Sequence, residues 1–371
     1  MAHIEIPAEI RPVDGRFGCG PSKVRDEQVS FLASLQPTVL GTSHRQASVK
    51  NLVNSVQEQL RDLFRAPEGY EIVLGNGGAT SFWDAAVHSL IKEKGQFATC
   101  GEFSSKFAAA AKKAPWLADP AVIKGEPGTL AQNVDASDVD IFAYAHNETS
   151  TGVMSPIRRY GKDGQLTVVD ATSAAGGIDF DAANVDVYYF SPQKNFASDG
   201  GIWFALMSPA AIARIAEIDG TDRYIPDTLN LQTAVNNSRL QQTLNTPAIA
   251  PLALMDEQLR WILSQGGLEW ASERTKHSSQ LLYTWAAERS FATPFVADAD
   301  ARSQVVATID FNADVDASAI SKALRANGIV DTEPYRKLGR NQLRIATFTA
   351  IDPADVEKLI ACIDYVVERL D

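Results

Sequence analysis

Cysteine is scarce in this chain. Its three cysteines, Cys19, Cys100 and Cys362, are odd in number and widely separated in 371 residues, and no Cys-x-x-Cys pair occurs. Neither a disulfide framework nor a structural zinc site is indicated, so a reducing cytoplasm is the expected environment. Histidine is nearly as sparse. His3, His44, His88, His146 and His277 show no metal-ligand spacing, and no metal is expected. Long apolar runs are missing, and the amino terminus has neither a basic region followed by an apolar stretch nor a small-residue cleavage site. Neither export nor a membrane span is expected. Positive charge is in deficit: 34 Lys and Arg face 46 Asp and Glu, for a formal net charge of −12. That balance opposes a general role in holding nucleic acid, and any anionic ligand must be met by a local group of cations.

What is present is ordinary globular material, 45% hydrophobic and 22% charged, in a chain long enough for two domains. Between Tyr70 and Met207, short β-rich apolar runs at 71–74, 96–100, 121–124, 139–145, 166–169, 185–190 and 202–206 alternate with helical patterns at 80–91, 103–113 and 209–218. Several runs are continuously apolar, as a strand covered on both faces requires. The fold class is therefore α/β, with a seven-stranded, mainly parallel sheet between helical layers. After Pro251 come two long helical stretches, 252–264 and 268–289, separated by the stop signal Gln265-Gly266-Gly267. Strand, helix, strand and helix then follow at 304–311, 317–327, 342–348 and 353–370, with Asp352-Pro353 starting the last helix. The expected partition is a large domain over 17–255 and a small α+β domain over 256–371, joined by the segment 1–16.

In an open parallel sheet, ligands bind beyond the carboxyl ends of the strands. The first run ends in Gly75-Asn76-Gly77-Gly78-Ala79-Thr80 and leads into a helix, offering free backbone N–H groups, a positive dipole end and a hydroxyl for a phosphate. Such a turn also occurs for tight geometry alone. The second, fourth, fifth and sixth runs end at Gly101-Glu102-Phe103, His146-Asn147-Glu148-Thr149, Asp170-Ala171-Thr172-Ser173 and Gln193-Lys194. A lysine at the end of a buried strand has a depressed pKa and a free amine able to condense with a carbonyl. Asp170 is either a helix cap or a buried acid that keeps a pyridine ring protonated. An aromatic face, a hydroxyl, a carboxylate and an amine together suit a flat, phosphorylated heteroaromatic aldehyde, pyridoxal 5'-phosphate.

Over nearly its whole length the chain resembles the phosphoserine aminotransferases, a family within the class V group of fold-type I pyridoxal-phosphate enzymes. The residues that carry the resemblance are Phe17-Gly18-Cys19-Gly20-Pro21-Ser22, Ser43-His44-Arg45, Gly77-Gly78-Ala79-Thr80, Asn147-Glu148-Thr149, Asp170, Gln193-Lys194-Asn195, Asn245-Thr246-Pro247 and Leu343-Arg344. The resemblance implies that Lys194 forms the Schiff base with the cofactor, that Asp170 faces the pyridine nitrogen and that Thr149 hydrogen-bonds near the ring. Phe103 stacks on the ring, where family members often place tryptophan. Ala79, Thr80 and Gln193 bind the cofactor phosphate, joined by Asn245 and Thr246 from a second subunit, which implies a homodimer with shared active sites.

The same resemblance implies reversible transamination of 3-phosphohydroxypyruvate with glutamate, giving phosphoserine and 2-oxoglutarate in serine synthesis. Arg344 would clamp the α-carboxylate, Arg45 with His44 beside it would bind the distal anion, and Arg336 would add a phosphate contact. Tyr335 stands where family members have a histidine, and Lys337 and Arg340 crowd the same loop. Three alternatives stay open. One is a class V aminotransferase for small unphosphorylated substrates of the serine or alanine and glyoxylate type, against which Arg336, Lys337 and Arg340 argue. A second is a cysteine desulfurase, which lacks a suitably placed cysteine here. The third is a non-catalytic scaffold of the same fold, which an intact Lys194 and Asp170 oppose.

Overall fold

The computed structural model describes residues 4–370, so His3 lies outside the described residues. The strands are β1 (Glu71–Asn76), β2 (Gly95–Thr99), β3 (Ala121–Lys124), β4 (Ile141–Ala145), β5 (Asn147–Glu148), β6 (Val153–Met154), β7 (Leu166–Asp170), β8 (Val187–Phe190), β9 (Ile202–Met207), β10 (Ala292–Pro294), β11 (Val306–Phe311) and β12 (Gln342–Ala346). Seven of them form one sheet in the order β1-β9-β8-β7-β4-β2-β3. The seven apolar runs of the sequence are these seven strands. Neighbours from β8 to β3 are parallel, and β9 alone runs the other way, antiparallel to β1 and β8.

Both faces of the sheet are covered, which is why the runs are continuously apolar. Successive side chains alternate between two cores. Tyr188 and Phe190 join Val53, Val56 and Leu60 of the helix Ala47–Leu63 on one side. Val187 and Tyr189 join Phe82, Phe107 and Ile215 on the other, where the helices Ala79–Ser89, Glu102–Lys113 and Pro209–Asp219 lie. Strand β3, at the sheet edge, alternates half-buried and exposed residues. The sequence analysis named no element between 23 and 70, yet two helices stand there, Asp26–Ser34 and Ala47–Leu63.

The helix Ile249–Gln265 packs against Ala47–Leu63 and against the following helix Gly267–Ala287. Gly266, at φ 129°, makes the break between them. Residue 255 falls inside the first of these helices. Beyond them β10, β11 and β12 form an antiparallel sheet, and β10 is a strand the sequence pattern did not indicate. The helices Ala317–Ala326 and Pro353–Val367 accompany it, the latter capped by the Asp352 carboxylate accepting from Ala354 N at 2.9 Å. The amino-terminal strand of chain returns to this region. Val330 N donates to Gly15 O at 2.8 Å, Phe17 N to Val330 O at 3.3 Å, and Ala346 N to Phe17 O at 3.0 Å. Among the described residues no helix is long and apolar enough to cross a membrane.

Candidate functional site

The carboxyl ends of β1, β2, β4, β7 and β8 share one edge of the sheet, because only β9 is reversed. Lys194 lies four residues beyond β8 and is 8% exposed. Its Nζ donates to the backbone carbonyl of Cys19, and burial depresses its pKa from 10.5 to about 8. The amine is boxed in by the loop that carries that carbonyl. A Cβ on Gly20 would meet the end of the Lys194 side chain, and the φ of +140° there is a conformation that favours glycine. The next residue locks the segment in place. Asn195 Nδ2 donates to Ser173 O at 2.9 Å, and its Oδ1 accepts from Thr349 N at 3.2 Å.

Asp170 ends β7 and is 8% exposed. Its Oδ1 accepts from Thr172 N at 2.9 Å and its Oδ2 from Trp83 Nε1 at 3.3 Å. No helix follows, so it is not a helix cap. Burial raises the carboxyl pKa, and the Thr172 and Trp83 donors pull the other way. A nearby cation would restore the ionised form, which is the setting a protonated pyridine nitrogen offers. Trp83 is a functional contact that sequence reasoning missed. It lies on the helix that follows the glycine-rich turn, and its apolar helical spacing gave no sign that its N–H would meet Asp170.

At the end of β1, Gly77 takes φ +105° and Gly78 caps the helix Ala79–Ser89 without any side-chain acceptor. The first-turn N–H groups around Ala79 and Thr80 are therefore available to an anion. Gln193 Oε1 is buried with no partner. On the far side, Glu148 is fully buried and gathers the start of the helix Glu102–Lys113. It accepts from Phe103 N at 3.2 Å, Ser104 N at 2.9 Å, Ser104 Oγ at 2.7 Å and Ser150 Oγ at 2.7 Å. This buried carboxylate fixes where Phe103 stands. The Thr149 hydroxyl meets the Ser173 hydroxyl at 2.8 Å, and Ser173 Oγ also accepts from Asn147 Nδ2 at 2.9 Å. His146, at the same edge, is structural. It is buried, its Nδ1 lies 3.0 Å from the Tyr188 hydroxyl, and burial lowers its pKa to about 3, so the ring is neutral.

The cations divide into two groups. From β12, Arg344 reaches the sheet edge, where its Nη1 donates to Thr149 O at 3.1 Å and its Nε is buried without a partner. The guanidinium lies over the Tyr335 ring, 5.3 Å from its centroid. Arg336 is exposed in the short turn Arg336–Leu338. Lys337 pairs with Glu102, and Arg340 pairs with Asp310 while lying over Phe295 at 4.4 Å. Carboxylates thus already pair with two of the three cations of this loop. The second group is His44, half-buried, and Arg45, exposed. Thr246 O accepts from Asn76 Nδ2 at 2.9 Å, His44 Nδ1 lies 3.3 Å from Thr246 Oγ1, and Asn245 and Arg45 are exposed beside them.

The residues present fit pyridoxal phosphate. A buried amine, a buried carboxylate with raised pKa and uncapped helix N–H groups lie along one edge, together with unpartnered buried atoms of Gln193, Thr172 and Arg344. The amine, the carboxylate, the helix N–H groups and the Arg344 Nε are groups that an anionic, aldehyde-bearing heterocycle and its substrate would satisfy.

Comparison with known proteins gives a family-model match to "Aminotransferase class-V" over residues 20–332. The chain is 58% identical over 368 residues to a Mycobacterium leprae protein, a match covering 99% of this chain and 98% of that one. It is 56% identical over 366 residues to a protein of Rhodococcus opacus named phosphoserine aminotransferase, covering 98% of each. In fold it is similar to a crystal structure of a phosphoserine aminotransferase from Cytophaga hutchinsonii, with a TM-score of 0.87 and 21% identity, covering 95% of this chain and 99% of the other.

Proposed function

The chain belongs to the class V aminotransferases, within the phosphoserine aminotransferases, and from that premise we propose how its residues carry the reaction. It is a pyridoxal-phosphate-dependent enzyme that interconverts 3-phosphohydroxypyruvate plus glutamate and phosphoserine plus 2-oxoglutarate. The observation that carries this reading is the buried Lys194 amine on the same sheet edge as the buried Asp170 carboxylate.

When bound, the cofactor supplies an aldehyde for the substrate's amino group and a ring that accepts electrons from the α-carbon. Ala79, Thr80 and Gln193 hold its phosphate, Phe103 covers its ring, Thr149 bonds near its edge, and Asp170 holds a proton on its ring nitrogen. Arg344 binds the substrate's α-carboxylate through a planar fork. Lys194 Nζ would take the substrate's α-hydrogen as a proton, and a pKa near 8 leaves a useful neutral fraction at physiological pH. The second keto acid is aminated by the reverse path, so the kinetics are ping-pong. Arg45, with His44, and Arg336 bind the distal phosphate or carboxylate. Steady-state rates with phosphoserine and with serine test the substrate: kcat/KM should favour phosphoserine by about a hundredfold or more, because a desolvated charge contact is lost with serine. Equal rates would instead favour the small unphosphorylated substrates.

We further propose a homodimer in which the cluster of His44, Arg45, Asn245 and Thr246 completes the neighbouring subunit's site. The solvent-facing placement of Arg45, Asn245 and Thr246 in the single chain supports this arrangement. Co-expressing Lys194→Ala with the double variant Asn245→Ala, Thr246→Ala tests it. Each variant alone should be nearly inactive. The mixture should recover about a quarter of wild-type activity, since half the dimers are mixed and each mixed dimer holds one intact site. No recovery would place the cluster in its own subunit's site. The partition at 255/256 and a cytoplasmic location belong to the same proposal.

A further inference from the structure

Tyr335 lies against both Arg344 and Phe103. Three observations converge on it. The Arg344 guanidinium lies over the Tyr335 ring, 5.3 Å from the centroid. The same guanidinium is tied at one corner by Thr149 O, accepting from Nη1 at 3.1 Å, while Nε is buried with no partner. The Tyr335 ring also lies 6.2 Å from the Phe103 ring at an interplanar angle of 59°.

We propose that Tyr335 is a positioning residue that sets the plane of the Arg344 guanidinium toward the α-carboxylate of either amino-acid substrate. A guanidinium fixed at one corner can still swing about that hydrogen bond, and a two-point match to a carboxylate depends on its plane. An aromatic face supplies the missing restraint, because the ring quadrupole attracts the cation and the flat faces stack. The unpartnered Nε is one donor left for the incoming carboxylate. Contact with Phe103 ties this clamp to the residue that covers the cofactor ring, so the substrate's carboxylate and the ring are aligned by one side chain. The proposal rests on the assignment of Arg344 to the α-carboxylate.

The test uses the cofactor-loaded dimer and the variants Tyr335→Phe, Tyr335→Leu and Tyr335→Ala. Binding is measured calorimetrically with two unreactive probes: 3-phosphoglycerate, which carries carboxylate and phosphate, and ethylene glycol phosphate, which lacks the carboxylate. Tyr335→Ala and Tyr335→Leu should weaken 3-phosphoglycerate about tenfold, the scale of a desolvated cation–π contact, and leave ethylene glycol phosphate unchanged. Tyr335→Phe should bind both as wild type does. The KM for glutamate should rise by the same factor in the alanine and leucine variants, with kcat changed less. If both probes weaken together, Tyr335 serves the phosphate or the fold and the proposal is overturned; it is overturned equally if neither weakens. If the alanine variant does not fold, the leucine variant supplies the comparison. A wild-type protein that transaminates glutamate but neither uses phosphoserine nor binds 3-phosphoglycerate would refute the substrate assignment instead. The glutamate KM of the variants would then decide the role of Tyr335, and an unchanged value would overturn it.

Discussion

Replacing Lys194 with alanine is expected to abolish transamination, lowering kcat by at least about four orders of magnitude, the upper scale of a proton-transferring group. No other described amine occupies the position of Lys194 between the Cys19 carbonyl and the Asp170 side of the edge. Borohydride treatment separates chemistry from folding: the wild-type protein should retain cofactor covalently, by mass, and the variant should not. Retained steady-state turnover would refute the assignment of Lys194 as the working amine. The same substitution has a signature in the cofactor-free protein. Burial holds the folded-state pKa near 8, against 10.5 for the unfolded chain. Between these values the unfolded chain binds more protons at this site, so stability from Lys194 rises with pH across the window. Below pH 8 the folded state carries an unfavourable increment of up to about 3 kcal/mol, taking about 1.4 kcal/mol per unit. Lys194→Met should remove it, making the variant more resistant to urea than wild type at pH 7 and narrowing that difference as pH approaches 10.

Asp170→Asn is expected to lower kcat by about two to three orders of magnitude with little change in substrate KM, the scale of losing one preorganised electrostatic contact. The side chain keeps its shape and its acceptor for Thr172 N, so the fold should survive. What it loses is the negative charge that makes a protonated ring nitrogen favourable in a buried setting. A cofactor analogue with an N-methylated, permanently charged ring nitrogen should restore much of the lost rate to Asp170→Asn and little to Lys194→Ala. Equal failure of both variants with that analogue would mean that Asp170 acts on structure and not on ring charge. Its bond to Trp83 Nε1 provides the structural control, because indole fluorescence should shift with the substitution even without cofactor.

Much of the fold was written in local pattern. Runs such as 185–190 and 202–206 are apolar on consecutive residues because helices cover both sheet faces, and that is visible in one dimension. Helix boundaries were equally plain, a stop at Gln265-Gly266-Gly267 and a start at Asp352-Pro353. The helices over 26–34 and 47–63 were not named, although Val49, Leu52, Val53, Val56 and Leu60 follow helical spacing. Strand β10 has only three residues, too few for a period to show. In the site, Lys194, Asp170 and the Gly77-Gly78 turn were legible because each lies at or just beyond the carboxyl end of a strand.

The charge of the Tyr335–Arg340 loop was not legible, since composition counts cations but not their partners. Glu102 and Asp310 are distant in sequence from Lys337 and Arg340, and folding alone brings them together. The same holds for Trp83 on Asp170, for Tyr335 beneath Arg344, and for the Cys19 carbonyl on Lys194. The sequence by itself determined which residues end strands, hence the sheet and the chemical groups on its edge, because strand period and turn composition are properties of neighbours along the chain. Only the tertiary structure decided which of those groups are paired, desolvated or left open to a ligand, because burial and Coulomb interactions depend on distance in space.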